Sequence, residues 1–382
     1  MLAMFSYTDT EMLHCKHGAW WETNSQRGRA NNSVVLRRNK VTEENFNALW
    51  KIIKASGSGE PGFIFTNNED MGFNPCVEAS LNPFQMCNLC ELNMSTVESQ
   101  EDFNARAKVA SFIGTLQASY TDFHYLRDIW RETVEDGALL GVSMTGTASK
   151  IVDSLDMKEA SLAVMAENTR VAKLLGIKEA KRATCGKPSG TASLVLGSSS
   201  GIHSWYAPYY IRRVRLNKNE AIYKYLAKDH PQLVVDEVYD PVNTAVLEIP
   251  QKAPNKAICR NDESPIDLLE RVKRVSNEWI KYGHRTGHNP HNQSVTVSIK
   301  DDEWEATREW LWEHREIYSG VSVLPYDGGT YQQTPFEEIT EDEYIKRAKL
   351  ITNIDLTMVV ELQDNTDLSG ELACSGGSCE LS

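Results

Sequence analysis

Thr66-Asn67-Asn68-Glu69-Asp70-Met71-Gly72-Phe73-Asn74-Pro75-Cys76-Val77-Glu78 opens a stretch that continues through Asn82-Pro83 and Cys87-Asn88-Leu89-Cys90 to Leu92, and its reading decides the rest. Asn74, Cys76 and Glu78 occupy alternate positions, and in extended backbone alternate side chains point the same way. All three are therefore expected to face one pocket. A carboxylate beside a thiol disfavours the thiolate, so Cys76 is a poor nucleophile of the kind a basic neighbour activates. The pattern suits hydrogen-atom chemistry, in which the thiol stays neutral and Glu78 handles a substrate proton. The blander reading, a buried cysteine in a proline-shaped loop, stays open on spacing alone.

Eight cysteines in 382 residues are too few for a secreted disulfide scaffold, and their clustering points to metal or redox chemistry in a reducing compartment. Cys87-Asn88-Leu89-Cys90 reads as a thioredoxin-like redox pair or as half of a zinc site. The other zinc half would need a second close pair. Cys374 and Cys379 flank Ser375-Gly376-Gly377-Ser378, a flexible loop rather than a zinc knuckle. Two sulfurs on a mobile tail suit thiol exchange, which needs access; redox is the favoured reading and no metal site is expected.

Helical patterns recur over Thr42–Ala55, Glu101–Gln117, Asp156–Leu175, Pro265–Lys281 and Asp302–Arg315. Between them lie short β-rich or apolar stretches: Phe63-Ile64-Phe65, Leu139–Ser143, Ser193–Leu196, Ser294–Ser298 and Gly320–Leu324. Helices alternating with short buried strands predict an α/β fold with a mainly parallel sheet. The turn Pro188-Ser189-Gly190-Thr191-Ala192-Ser193 follows Lys187 and offers backbone N–H groups and hydroxyls with little bulk, which suits a phosphate. Most glycine-serine turns are merely turns. From Gln363 to Ser382 the composition shifts to Asp, Asn, Ser, Gly and Cys, the mark of a mobile tail. A net charge of −13 argues against a nucleic-acid partner, which would need a basic face. Neither a membrane-spanning run nor a signal peptide is read, so a cytoplasmic protein is expected.

The conjunction carries more than its parts. Asn-x-Cys-x-Glu, a cysteine eleven residues beyond Cys76, a Pro-Ser-x-Thr turn and a terminal Cys-x4-Cys occur in that order. With them stand Trp20-Trp21-Glu22, Arg29–Ser33, Ser58-Gly59-Glu60-Pro61-Gly62, Pro208–Arg213 and Thr334–Thr340. The chain resembles, along essentially its whole length, the carboxyl-terminal half of a ribonucleotide reductase catalytic subunit. The resemblance implies the second half of a ten-stranded α/β barrel with a central finger loop, spanning 1–362 with the loop at 66–92, and a redox-active tail at 363–382. It also implies roles. Cys76 matches the thiyl-radical cysteine that takes the ribose 3′ hydrogen, Asn74 the amide that holds the substrate hydroxyls, and Glu78 the carboxylate for the 3′-hydroxyl proton. Cys87 matches one member of the reducing dithiol, Pro188–Ser193 the loop for the substrate phosphates, and Cys374 and Cys379 the pair that exchanges electrons with thioredoxin.

Within the family, the eleven-residue spacing resembles the monomeric adenosylcobalamin-dependent branch. No Arg-x-x-Gly-Tyr glycyl-radical motif stands near the end. Pro325-Tyr326-Asp327 and Tyr331 stand where the oxygen-dependent branch carries adjacent tyrosines, and Tyr209-Tyr210 lies elsewhere. Adenosylcobalamin is thus the implied cofactor, and a ribonucleoside di- or triphosphate the implied substrate. A full-length relative is roughly twice this size. The resemblance therefore places the first five strands, the specificity site and the second dithiol cysteine ahead of Met1, in a second polypeptide. Cys90 is the substitute for that cysteine nearest in sequence. The alternative is a non-catalytic interaction protein that kept the half-barrel fold.

Overall fold

The computed structural model describes residues 1–238, 240–326, 333–351, 354–361 and 363, with Lys150 as backbone alone. These residues form two compact units, 1–204 with 263–326 and 205–262 with the described part of 327–371. The sequence reading carried 1–362 as one body. No Pro/Gly/Ser linker marks where the chain passes from one unit to the other. Cys374 and Cys379 lie outside the described residues.

The first unit is α/β. Its strands are β1 (Leu2–Ser6), β2 (Asn31–Arg37), β3 (Gly62–Thr66), β4 (Gly72–Phe73), β5 (Ser80–Leu81), β6 (Asn88–Asn93) and β7 (Leu140–Thr145). After β8 (Tyr209–Asn217), β9 (Val234–Asp236) and β10 (Thr244–Lys252) of the second unit come β11 (Thr296–Ile299) and β12 (Gly320–Pro325). A five-stranded sheet runs β1-β2-β3-β12-β11, parallel throughout except where β12 meets β3. β6 and β7 pair in parallel. Parallel bridges from Val142 to Thr184 and from Gly186 to Gln293 carry the wall from β7 to the chain leading into β11. The wall so formed is not a closed ten-stranded barrel among the described residues. It also contains β1 to β3, parallel strands ahead of the 66–92 segment that run opposite to β12, where the resemblance put all strands of the other half outside the chain.

Four of the five predicted helices form where an apolar stripe and a cap agree. Thr42 accepts from the Asn45 N–H to start Glu43–Ala55, whose Phe46, Leu49, Trp50 and Ile53 are buried one turn apart. Ser99 and Asp156 cap Gln100–Ala118 and Met157–Leu175 in the same way, and Ser264 with Asp267 closes a capping box on Pro265–Val275. That last helix then widens into a π-helical turn over Ser276–Ile280. One expected strand is a helix: Gly190–Leu196 winds with Leu194, Val195 and Leu196 exposed. Three adjacent apolar residues mimic a buried strand, and here they are a short helix's solvent side.

The second unit is an antiparallel sheet in the order β13-β8-β10-β9, with β13 at Phe336–Glu338. Arg213 on β8 pairs with Glu248 on β10 at 2.8 Å, and Arg347 reaches the same carboxylate at 2.9 Å.

Candidate active site

β4 and β5 form a hairpin, Gly72 opposite Leu81 and Phe73 opposite Ser80, and Cys76 lies in its turn. The turn is not the extended segment that alternation suggested. Asn74 O accepts from Val77 N–H at 2.9 Å, Asn74 Oδ1 accepts from Ala79 N–H at 2.9 Å, and Val77 takes φ of +64°. A β-branched residue in the left-handed region is strained by about 1–3 kcal/mol, held by its surroundings. Glu78 is buried and hydrogen-bonded to Asn74, and one carboxylate oxygen has no partner. Burial raises its pKa, against the hydrogen bonds and Lys187.

Cys76 fronts a cavity of about 80 Å³ whose lining includes Asn31, Ser58, Glu60, Pro188, Thr296 and Ser322. The Ser58–Gly62 segment makes one wall: Gly59 sits at φ +73° with Val323 O 1.8 Å from where a Cβ would be, so no other residue fits. Pro188 brings the start of the glycine-serine turn to the same cavity. Ser189 adopts φ +60° with no side-chain cap bond, and Gly190–Leu196 starts directly after it. Ser193 Oγ donates back to Gly190 O at 3.0 Å.

Cys87 leads into β6. Its thiol is pushed up in pKa by burial first and Glu78 next, with Arg182 opposing. Its sulfur lies 3.7 Å from His291 Nε2. Gly141 on β7 is the reason it fits: a Cβ there would meet Leu89 Cδ2 at 2.4 Å, Cys185 Sγ at 3.0 Å and Cys87 Sγ at 3.2 Å. Cys90 points the other way, its sulfur donating to Gln117 Oε1 at 3.6 Å on the helix Gln100–Ala118. The nearby thiol that the structure brings to Cys87 is thus Cys185, fully buried and pushed well up in pKa by burial, then by Cys87 and Glu78. Glu91 shares the Cys87 face of β6. Both its oxygens are buried without hydrogen-bond partners, and burial lifts its pKa to about 7 against Lys187 and with Glu78.

Sequence reasoning missed the segment His288-Asn289-Pro290-His291-Asn292-Gln293, which clamps the hairpin from one side. Asn289 Oδ1 accepts from Asn67 N–H at 2.8 Å, and its Nδ2 donates to Thr66 Oγ1 at 2.9 Å. Asn292 N–H donates to Glu78 O at 2.9 Å, and Ser80 N–H donates to His291 Nδ1 at 3.1 Å. Asn289, His291, Asn292 and Gln293 are all buried. Four polar side chains ahead of an apolar strand are the available signal, since such a run is buried only when a network satisfies it. Among the described residues no group of three or more His, Cys, Asp and Glu side chains is placed to hold a metal ion, and no helix is long and apolar enough to cross a membrane.

No protein-family profile matches the chain. An adenosylcobalamin-dependent ribonucleoside-triphosphate reductase of Lactobacillus acidophilus is 27% identical over 346 residues, covering 81% of this chain and 45% of that protein. One of the same name from Euglena gracilis is 24% identical and covers 94% of this chain and 51% of its own. The chain therefore spans about half the length of the curated relatives it matches. Its fold is shared with a B-12 dependent (class II) ribonucleotide reductase at a TM-score of 0.75 and 23% identity, over 92% of this chain and 54% of that one. A class Id ribonucleotide reductase alpha subunit from Actinobacillus ureae matches at 0.54 and 13%, over 85% and 70% of the two chains. By sequence the chain is thus similar to adenosylcobalamin-dependent ribonucleoside-triphosphate reductases, and it shares its fold with ribonucleotide reductases. These sequence relatives carry the adenosylcobalamin-dependent name, the branch that the resemblance implied.

Proposed function

We propose that this chain carries the catalytic half of a ribonucleotide reductase of the adenosylcobalamin-dependent kind, reducing ribonucleoside di- or triphosphates to 2′-deoxyribonucleotides. The supporting observation is the hairpin tip. It presents Cys76 to a cavity that Pro188 also lines, while Glu78 sits buried beside Asn74 and raises the Cys87 pKa. The hairpin is then the finger loop, and the wall from β1 to β6 part of the ten-stranded barrel.

In this reading the Cys76 sulfur takes the 3′ hydrogen of the ribose, and Glu78 accepts the 3′-hydroxyl proton while Asn74 holds the hydroxyls. The 2′-hydroxyl leaves as water. Cys87 and a second thiol supply two electrons and two protons and close a disulfide, and Cys76 returns the hydrogen to C3′. Glu78, desolvated and raised in pKa, is suited to hold a proton through these steps. Pro188, Ser189, Gly190, Thr191, Ala192 and Ser193 take the substrate phosphates at the start of the short helix. Cys374 and Cys379 re-reduce the disulfide from thioredoxin.

The polar cavity at Cys76 fits the part of adenosylcobalamin that must approach the sulfur: Glu60 and the hydroxyls of Ser58, Thr296 and Ser322 line it, and the buried Asn31 Oδ1 has no partner. The cofactor, when bound, supplies the radical that Cys76 uses. A complementing polypeptide is part of the proposal. β6 pairs with β7 on one side alone among the described residues, and beside it a groove of about 530 Å³ is lined by Cys90–Asn93, Arg106, Val109 and Ile113. The test is nucleotide reduction by the complemented enzyme with adenosylcobalamin and thioredoxin. Wild type should turn over without an iron-bearing subunit. Cys76→Ser should bind nucleotide normally and show no turnover; measurable turnover in that variant removes Cys76 from its role.

A further inference from the structure

His291 is buried between the hairpin, β7 and Cys87, and hydrogen-bond accounting fixes its state. Ser80 N–H donates to Nδ1 at 3.1 Å, so Nδ1 carries a lone pair. Nε2 then carries the hydrogen, which the Leu140 carbonyl receives at 2.9 Å. A ring nitrogen that bears a hydrogen cannot accept one from a thiol. At 3.7 Å the Cys87 sulfur is therefore the second acceptor of this N–H, not a donor to the ring. Burial holds the imidazole neutral, its pKa lowered to about 3 with Arg182 contributing, so no imidazolium is available to ionise the thiol in the manner of a cysteine–histidine nucleophile.

We propose that His291 is a positioning residue for Cys87: its Nε2–H engages a sulfur lone pair and leaves the thiol's own hydrogen unclaimed, to be given to a bound substrate. The assignment deepens the reductase reading and rests on it for its purpose, though not for its geometry. The same ring ties Cys87 to Ser80, four residues from Cys76, so the hydrogen-abstracting and reducing sulfurs are registered through one side chain. A reducing thiol whose hydrogen was already donated to a protein acceptor would have to break that bond in every turnover.

Asn and Gln separate the two contacts. An Asn at 291 keeps an acceptor near Nδ1 for Ser80 but loses the donor to sulfur, whereas Gln extends an N–H to the Nε2 position. The readout is the infrared S–H stretching band of Cys87, taken as the difference between wild type and Cys87→Ser. It should lie where a thiol that does not donate absorbs, be retained in His291→Gln, and shift and broaden in His291→Asn. A band that superimposes in all three chains overturns the proposal, as does a wild-type band at the low frequency of a thiol donating to nitrogen. Should His291→Asn fail to fold, ¹⁵N-histidine NMR of the wild-type chain decides. The Nε2–H tautomer is expected, with its proton resonance moved in Cys87→Ala; the Nδ1–H tautomer, or an unmoved resonance, overturns it. In the complemented enzyme, single turnover by pre-reduced His291→Asn should fall on the order of tenfold to a hundredfold, with His291→Gln recovering most of it. The spectroscopic arms need no turnover, so they stand or fall apart from the reductase reading.

Discussion

Glu91 is a residue whose energetics depend on pH. Its carboxylate is buried without a hydrogen-bond partner, and its folded pKa lies near 7, against about 4.3 for an unperturbed glutamate. Between those values the unfolded chain has lost the proton that the folded chain still holds, so stability falls as pH rises through this window and then levels. The effect is on the order of 1–3 kcal/mol. Glu91→Gln should match wild type in urea denaturation at pH 4 and exceed it at pH 8, the gap between the two chains opening across this window; equal pH dependence in the two chains would show that Glu91 ionises normally in the fold. Residue-level legibility was uneven for a related reason. Asn74, Cys76 and Glu78 announce themselves as a spaced motif, but Val77 turns the backbone left-handed, so the three are gathered by a hairpin tip and not by alternation. Cys185 is invisible in sequence because its meaning comes from Gly141, forty-four positions away, and the absence of a side chain there.

Among elements, the π-helical turn at Ser276–Ile280 earns its irregularity through Trp279. The wider turn aims the buried indole at the sheet, where Nε1 donates to Val142 O at 3.1 Å and Cys185 O at 3.2 Å. It so bridges β7 to the irregular segment that carries Cys185, where regular strand pairing lapses. Trp279→Phe keeps the ring and removes the donor. It should cost on the order of 1–3 kcal/mol in chemical denaturation, and unchanged stability would mean that the two carbonyls are satisfied without it. Four of the five long helices were readable because capping residue and apolar stripe give the same answer, and Trp304–Glu313, which has no side-chain cap, by its apolar residues alone. β1 and β2 were not: each is polar at one end and flanked by irregular chain, and is fixed by its parallel partners. The antiparallel strand β8 alternates charge with apolar residues over Arg213–Leu216, but its pairing with β10 across a 26-residue excursion (from 217 to 244) has no local signature.

At the scale of the molecule, the wall ends at β1 and β6 among the described residues, and the helix Gln100–Ala118 beside β6 exposes Val109, Phe112 and Ile113. Unpaired edges and apolar surface of this kind promote association. The isolated chain should therefore bind a hydrophobic dye and self-associate with rising concentration in sedimentation velocity, and both signals should fall when a complementing half is added. A monomeric, dye-silent chain would mean that this edge is covered from within. The division into two units was not legible because nothing in composition marks it, whereas the α/β class was, through helices and strands that alternate at ordinary lengths.

Four thiols of the first unit bear on how the protein withstands oxidation. Cys15, Cys87, Cys90 and Cys185 are all held up in pKa, chiefly by burial. Peroxide and electrophiles attack thiolates, so these sulfurs are slow targets at neutral pH. These four sulfurs are thus chemically quiet toward the ordinary oxidants around them, and answer more readily to a reagent that takes a hydrogen atom than to one that needs a negative charge.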